Sequence, residues 1–251
     1  MPERIGFDRV ADAYDETRGL PPTVLAKAVG VLAEELQGKR VLEIGVGTGR
    51  YAVPLQKSGI RVVGVDISPK MVARGLEKGM RDAVFADGAH LPFRDATFDA
   101  VTSSHVLHLV ADWRTVLQEA ARVLRPEGEY FSIFERRRMG NLTKQYHEIA
   151  RGLGYTRVDV GLHERDFPRL VPPSRVVQVI RYQERIAADR LLDPLERRLY
   201  TNLWKVPDDV HRQVMAVLWR EYGGKDLDRS FDLEVAYWTR PKVEELARAP
   251  A

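Results

Sequence analysis

RVLEIGVGTGRYAVPLQKSGIRVVGVDISPKM, residues 40–71, decides the fold. It opens on a short apolar run, Arg40 to Ile44, of the kind expected of a strand buried on both faces. A glycine-rich turn follows, with Gly45, Gly47 and Gly49. Glycine serves where the backbone must take positive φ, or where something approaches too closely for a Cβ. The next segment predicts a helix that ends near Ser58 and Gly59. Arg61 to Ile67 then reads as a second buried strand, and Ser68-Pro69 as an N-cap followed by proline at the first helical position.

The same rhythm extends outward in both directions. Downstream lie AVFAD (83–87), FDAVTSS (98–104), a helix from about Asp112 to Leu124, a turn at RPEG (125–128) and EYFSIFE (129–135). Upstream, Thr23 to Gln37 puts Leu25, Val29, Leu32 and Leu36 on one helical face, with Gly38 as its C-cap. Strand and helix alternating in this way predict right-handed crossovers and a parallel sheet with five strands by Glu135. Beyond it the pattern changes. We expect helices at Asn141 to Leu153 and Arg165 to Leu170. RVVQVIRYQER (175–185) reads as a sixth strand, with helix as the rival. Asp193-Pro194 is expected to cap a helix running towards Trp204, and Pro207-Asp208-Asp209 to open another that stops at Gly223-Gly224. FDLEVAYWTRP (231–241) alternates like a final edge strand ended by Pro241.

Composition narrows the classes of function. The 251 residues are 44% hydrophobic, enough for one substantial core, and a formal charge of +3 does not announce a nucleic-acid binder. The absence of cysteine removes disulfides, thiolate metal sites and a cysteine nucleophile. MPERIGFDRV lacks an apolar h-region, so no secretory signal is expected. No window approaches the roughly 18 apolar residues of a membrane helix, and we expect a cytoplasmic protein.

Three carboxylates and the glycine turn fall at successive strand ends: Glu43, Asp66 and Asp87. In open α/β sheets that edge is where ligands bind. The turn departs from the dinucleotide fingerprint, since its third glycine comes one residue early and Arg50 holds the last position; it also lacks the Gly-Lys-Ser/Thr of a phosphate-binding loop. Asp66, about 20 residues past the turn, stands where a carboxylate accepts from both ribose hydroxyls; taken alone it is a helix cap. Asp87 would accept from an adenine amine; its plainer reading is a turn former before Gly88.

VLEIGVGTG (41–49), VVGVDIS (62–68), FADGAHLPFRDATFDAVTSSHVLHLV (85–110) and ARVLRPEG (121–128) resemble the successive motifs of the class I S-adenosylmethionine-dependent methyltransferases, nearest in flavour to the small-molecule branch of the ubiquinone/menaquinone-biosynthesis type. FDRVADAYDETR (7–18) resembles that family's N-terminal segment. The resemblance implies a Rossmann-like α/β fold: a doubly wound sheet of about seven strands, mostly parallel with an antiparallel last strand, plus helical cap elements. It implies S-adenosylmethionine as cofactor, S-adenosylhomocysteine as product, and a small-molecule acceptor. Gly45 and Gly47 would line the methionine part, and Glu43 would reach its amino group directly or through water. Asp66 would hold the ribose, Ile67 and Met71 would flank the adenine, and Asp87, with Gly88 after it, would read its amine. Ser104 would touch the methionine portion, and Tyr14 and Arg18 would close over the carboxylate.

Methyl transfer from a sulfonium needs positioning and exclusion of water, and a base only where the acceptor carries a proton. His105 and His108 are the catalytic candidates; the plainer reading has one packed on the sheet and the other capping a turn. The remaining histidines show no metal spacing, and no metal is expected. We expect residues 1–38 to cover the cofactor site, 39–135 to form the cofactor-binding core, and 136–251 to add strands and a helical insertion at about 186–224 that helps form the acceptor pocket, all in one compact domain. Tyr146, His147, Tyr200, Trp204 and Trp219 are candidate lining residues. The rival functions are an RNA or protein methyltransferase of the same fold, an NAD-dependent oxidoreductase, and a non-catalytic binder of the methyl donor.

Overall fold

The computed structural model describes residues 21–139, 142–157 and 161–250. The chain runs α1 (Pro22–Leu36), β1 (Arg40–Ile44), α2 (Ala52–Lys57), β2 (Arg61–Asp66), α3 (Pro69–Glu77), β3 (Ala83–Phe85), β4 (Phe98–Ser103), α4 (Trp113–Val123) and β5 (Leu124–Met139). It continues with α5 (Leu142–Gly152), α6 (Phe167–Leu170), β6 (Arg175–Ala187), α7 (Asp189–Glu196), α8 (Asp208–Tyr222), β7 (Asp226–Thr239) and α9 (Arg240–Arg248). Among the described residues, seven strands form one sheet in the order β3-β2-β1-β4-β5-β7-β6. The first five are parallel, and β7 runs antiparallel to both neighbours. The expected doubly wound sheet with an antiparallel last strand is thus the observed one.

Alternation along β1 explains the two-sided core. Val41 faces the layer of α1 and α2, where Leu32, Leu36 and Leu55 are buried; Leu42 and Ile44 face α4 and α9, with Leu117, Trp238 and Leu246. Local signals place the helices as read. Ser68 Oγ accepts the Met71 amide at 3.2 Å, and Asp112 caps α4 by accepting from Thr115. Gly38, at φ +76°, follows α1 in the left-handed conformation that ends helices.

The C-terminal third corrects four expectations. β7 is not an edge strand: it pairs with β5 and β6 along its length, and Leu233, Val235 and Trp238 are buried. The edge belongs to β6, whose residues alternate between half-buried and exposed on either side of a buried Val179. Pro241 lies in the first turn of α9, a helix the sequence reading did not include, where its missing amide goes unused. Asp193-Pro194 sits inside α7, which begins at Asp189 because Leu192 and Leu195 pack onto α8's cluster. The stretch towards Trp204 breaks at Arg198, at φ +50°, and resumes as a 3₁₀ turn over Thr201–Leu203. α5, α7 and α8 bury their apolar faces in a cluster of their own.

Candidate functional site

The glycine turn carries positive φ at Gly45 (+71°), Gly47 (+55°) and Gly49 (+76°). At Gly45 the reason is also packing within the protein. A Cβ there would collide with the side chain of Val106, from the turn after β4. At Gly47 a Cβ would meet Met71 Cε at 3.1 Å, and Met71 is itself buried. Val46 occupies the space above Gly64 of β2, which seats the turn on the sheet.

Asp66 ties these pieces together. Its Oδ2 accepts the Gly47 amide and its Oδ1 the Ser68 amide, both at 2.8 Å. Ile67, next in sequence, is 41% exposed, an isoleucine left facing outward at the strand end. Asp87 forms the turn that its plainer reading expects, accepting the Ala89 amide at 3.0 Å. Gly88 packs against Ile44, where a Cβ would lie 2.9 Å from Cγ2. Ser104 is half-buried just past β4. Glu43, Gly45, Gly47, Asp66, Ile67, Met71, Asp87, Gly88 and Ser104 therefore all lie at the carboxyl edge of β1 to β4. Tyr14 and Arg18 lie outside the described residues.

Glu43 is the electrostatic centre of this edge. Its side chain is 3% exposed and Oε2 has no hydrogen-bond partner among the described residues. Burial raises its pKa to about 8; the Ala52 amide and the charge of Arg50 oppose the rise, and Asp66 adds to it. A buried carboxyl with one unpartnered oxygen suits a cationic ligand group such as an ammonium.

The turn after β4 brings the two candidate histidines together. His105 is exposed and held at φ +59°, a conformation costing a non-glycine residue about 1 kcal/mol or more. His108 sits in the 3₁₀ turn Leu107–Leu109, half-buried, with its ring stacked on His163 at 4.6 Å between centroids. The His105 and His108 rings stand edge to face at 6.5 Å. Beneath them lies a carboxylate that the sequence reading missed, Glu164, from the 3₁₀ turn Glu164–Asp166. Its Oε1 accepts the amides of Val106 (2.8 Å) and Leu107 (3.1 Å), and its Oε2 lies 3.8 Å from His108 Nδ1. Burial would raise its pKa, but His108, the charge of His105 and the Val106 amide outweigh burial and hold it at about 2. Glu164 stands 58 residues from Val106 inside a charged run, and no local spacing signals it.

The proposed lining residues divide. Tyr146 is fully buried and shares a 2.7 Å hydrogen bond with His211 Nδ1, so it belongs to the helical core. His147 Nε2 receives Asn202 at 2.7 Å, Trp204 Nε1 donates to the Arg198 carbonyl, and Trp219 Nε1 donates to Glu196. Tyr200 is half-buried. A cavity of about 440 Å³, lined by Gly38, Lys39, Gly59 and Arg61, lies at the opposite edge, where β1 and β2 begin. No helix among the described residues is long and apolar enough to cross a membrane.

Residues 42–132 match the methyltransferase domain family. Over 167 residues the chain is 30% identical to the biotin biosynthesis bifunctional protein BioHC of Cellvibrio japonicus, covering 63% of this chain and 33% of that protein. Over 126 residues it is 38% identical to demethylmenaquinone methyltransferase of Corynebacterium kroppenstedtii, covering 49% and 55%. The chain thus spans between a third and about half of the length of these relatives. A solved structure from Anaeromyxobacter dehalogenans, described as a candidate type II methyltransferase, superposes with a TM-score of 0.60 at 17% identity, covering 85% of this chain and 96% of that one. That likeness is one of fold.

Proposed function

We propose that this chain is a class I S-adenosylmethionine-dependent methyltransferase that moves the cofactor's methyl group to a small-molecule acceptor by in-line displacement. One observation carries this reading: Oε2 of buried Glu43, without a hydrogen-bond partner among the described residues, lies at the same sheet edge as the glycine turn and Asp66. A dinucleotide site has no use for a buried carboxyl before its first glycine. The residues fit S-adenosylmethionine: Glu43 would take the ammonium, Gly45 and Gly47 would line the methionine part, Ser104 would touch it, and Asp66 would hold the ribose. Ile67 and Met71 would flank the adenine, whose amine Asp87 beside Gly88 would read. When bound, the cofactor supplies an activated methyl on a sulfonium. We assign Tyr14 and Arg18 of the segment 1–38 to its carboxylate.

The chain's own part in the reaction is to hold, orient and exclude water. His105, exposed beside the turn, is the group placed to take an acceptor proton; His108, turned towards Glu164, supports it from beneath. We assign the cofactor site to residues 39–135 and part of the acceptor pocket to the strands and helical insertion of 136–251, in one domain. Relatives named as acting on demethylmenaquinone support a small acceptor over an RNA or a protein. We place the protein in the cytoplasm.

Isothermal titration with S-adenosylmethionine, S-adenosylhomocysteine and NAD tests the reading. Binding of the first two and not the third is expected; binding of NAD alone would overturn it.

A further inference from the structure

Glu164 belongs to none of the motifs that mark the cofactor site, yet its carboxylate closes the turn that joins that site to the rest of the molecule. Beyond the Val106 and Leu107 amides, Oε1 receives Ser103 Oγ at 3.4 Å, and Ser103 Oγ and Tyr130 Oη stand 2.5 Å apart. The turn needs such a partner. His105 is left-handed, Val106 is right-handed at φ −112°, ψ −52°, and the amides that follow point to one side. Successive amides in that arrangement form a concavity for an anion. With Glu164 6% exposed, little water reaches the carboxylate, and without it the buried Leu107 amide and the part-buried Val106 amide would lose their acceptor.

The segment that delivers Glu164 is pinned beside it. The Gly161 amide donates to the His108 carbonyl at 3.1 Å, and Gly161 packs so closely on the Leu107 and Val110 carbonyls that a side chain there is excluded. On the far side of the same turn, Val106 fills the space over Gly45. One carboxylate therefore connects the stretch between α5 and β6 to the wall of the glycine turn.

We propose that Glu164 is a positioning residue of the methyl-transfer site. By holding the Val106 and Leu107 amides it keeps Val106 against Gly45 and presents His105 at the sheet edge. This inference rests on the methyltransferase reading above.

The test uses the full chain with Glu164→Ala and Glu164→Gln, reading amide hydrogen exchange without ligand and titration with S-adenosylhomocysteine. Glu164→Ala should speed exchange of Val106 and Leu107 roughly a hundredfold relative to β1 amides and weaken binding about tenfold. Glu164→Gln keeps a carbonyl oxygen in the place of Oε1, so it should restore protection of both amides and bring affinity to within about threefold of wild type. A residue of merely structural importance would lower stability without this paired recovery. Should Glu164→Ala fail to fold, Glu164→Gln decides: protected amides with retained affinity support the proposal, and rapid exchange with wild-type affinity overturns it. Wild-type exchange or wild-type affinity in Glu164→Ala would also overturn it. Wild-type protein that protects both amides but ignores S-adenosylhomocysteine would instead overturn the methyltransferase reading.

Discussion

The amide of Gly47 donates to Asp66 Oδ2 at 2.8 Å, so the turn after β1 is fastened to the end of β2 by the same carboxylate that receives the Ser68 amide. Asp66 thus has a task within the protein beside the one proposed towards ribose.

Asp66→Ala should therefore show two losses. Stability should fall by about 1–3 kcal/mol as two partly buried amides lose a charged acceptor. S-Adenosylhomocysteine affinity should fall by about tenfold or more. Urea unfolding and titration read these separately. A folded variant with unchanged affinity would show that the ribose assignment is wrong.

Gly45→Ala should destabilise the protein by about 2 kcal/mol or more, through its left-handed backbone and through collision with Val106. Val106→Ala removes the colliding methyls and should recover part of that loss in the double variant. Urea unfolding of the two single variants and the pair gives the coupling. Additive losses would show that Val106 does not explain glycine at 45. Gly47→Val should bring a branched side chain against Met71 and into the proposed cofactor path, and normal binding by a folded variant would reduce the loop to a turn.

His105→Gly relieves a left-handed residue and should stabilise the fold by about 0.5–1 kcal/mol. The same change should abolish transfer to an acceptor that must lose a proton, while leaving S-adenosylhomocysteine binding near wild type. A gain in stability with full transfer activity would remove His105 from the reaction.

Two buried carboxyls should give stability opposite slopes against pH. Glu43, raised from 4.5 to about 8 by burial, binds a proton on folding, so its contribution is complete below pH 4.5 and is lost as pH rises towards 8. Glu164, lowered to about 2, contributes above pH 4.5 and loses that contribution as pH falls from there towards 2. Each slope reaches at most about 1.4 kcal/mol per pH unit. Urea unfolding from pH 3 to 8.5 should show the alkaline loss flattened in Glu43→Gln and the acid loss flattened in Glu164→Gln. Identical alkaline slopes in wild type and Glu43→Gln would show that Glu43 is ionised throughout.

The stretch from Arg40 to Glu135 was legible because its signals act over a few residues. Buried strands read as apolar runs, Ser68-Pro69 and Asp112 announce helix starts, and glycines mark the turn that Asp66 fastens. The C-terminal third was less so. FDLEVAYW alternates like an edge strand, but whether it ends inside the sheet depends on β6, some fifty residues earlier, taking the outer place. Pro194 looked like a helix start and lies within one, because burial of Leu192 and Leu195 outweighs a local preference.

Periodicity, capping and backbone freedom are properties of neighbouring residues, so the chain's local pattern carries the five strands up to Glu135, the glycine turn and the line of acids at the strand ends. Packing across the fold sets Val106 over Gly45, buries Glu43 with an oxygen unpartnered among the described residues, and brings Glu164 back across 58 residues to hold the turn beneath His105. Those are facts of proximity and of water excluded by packing, and neither is written in the local pattern of the chain.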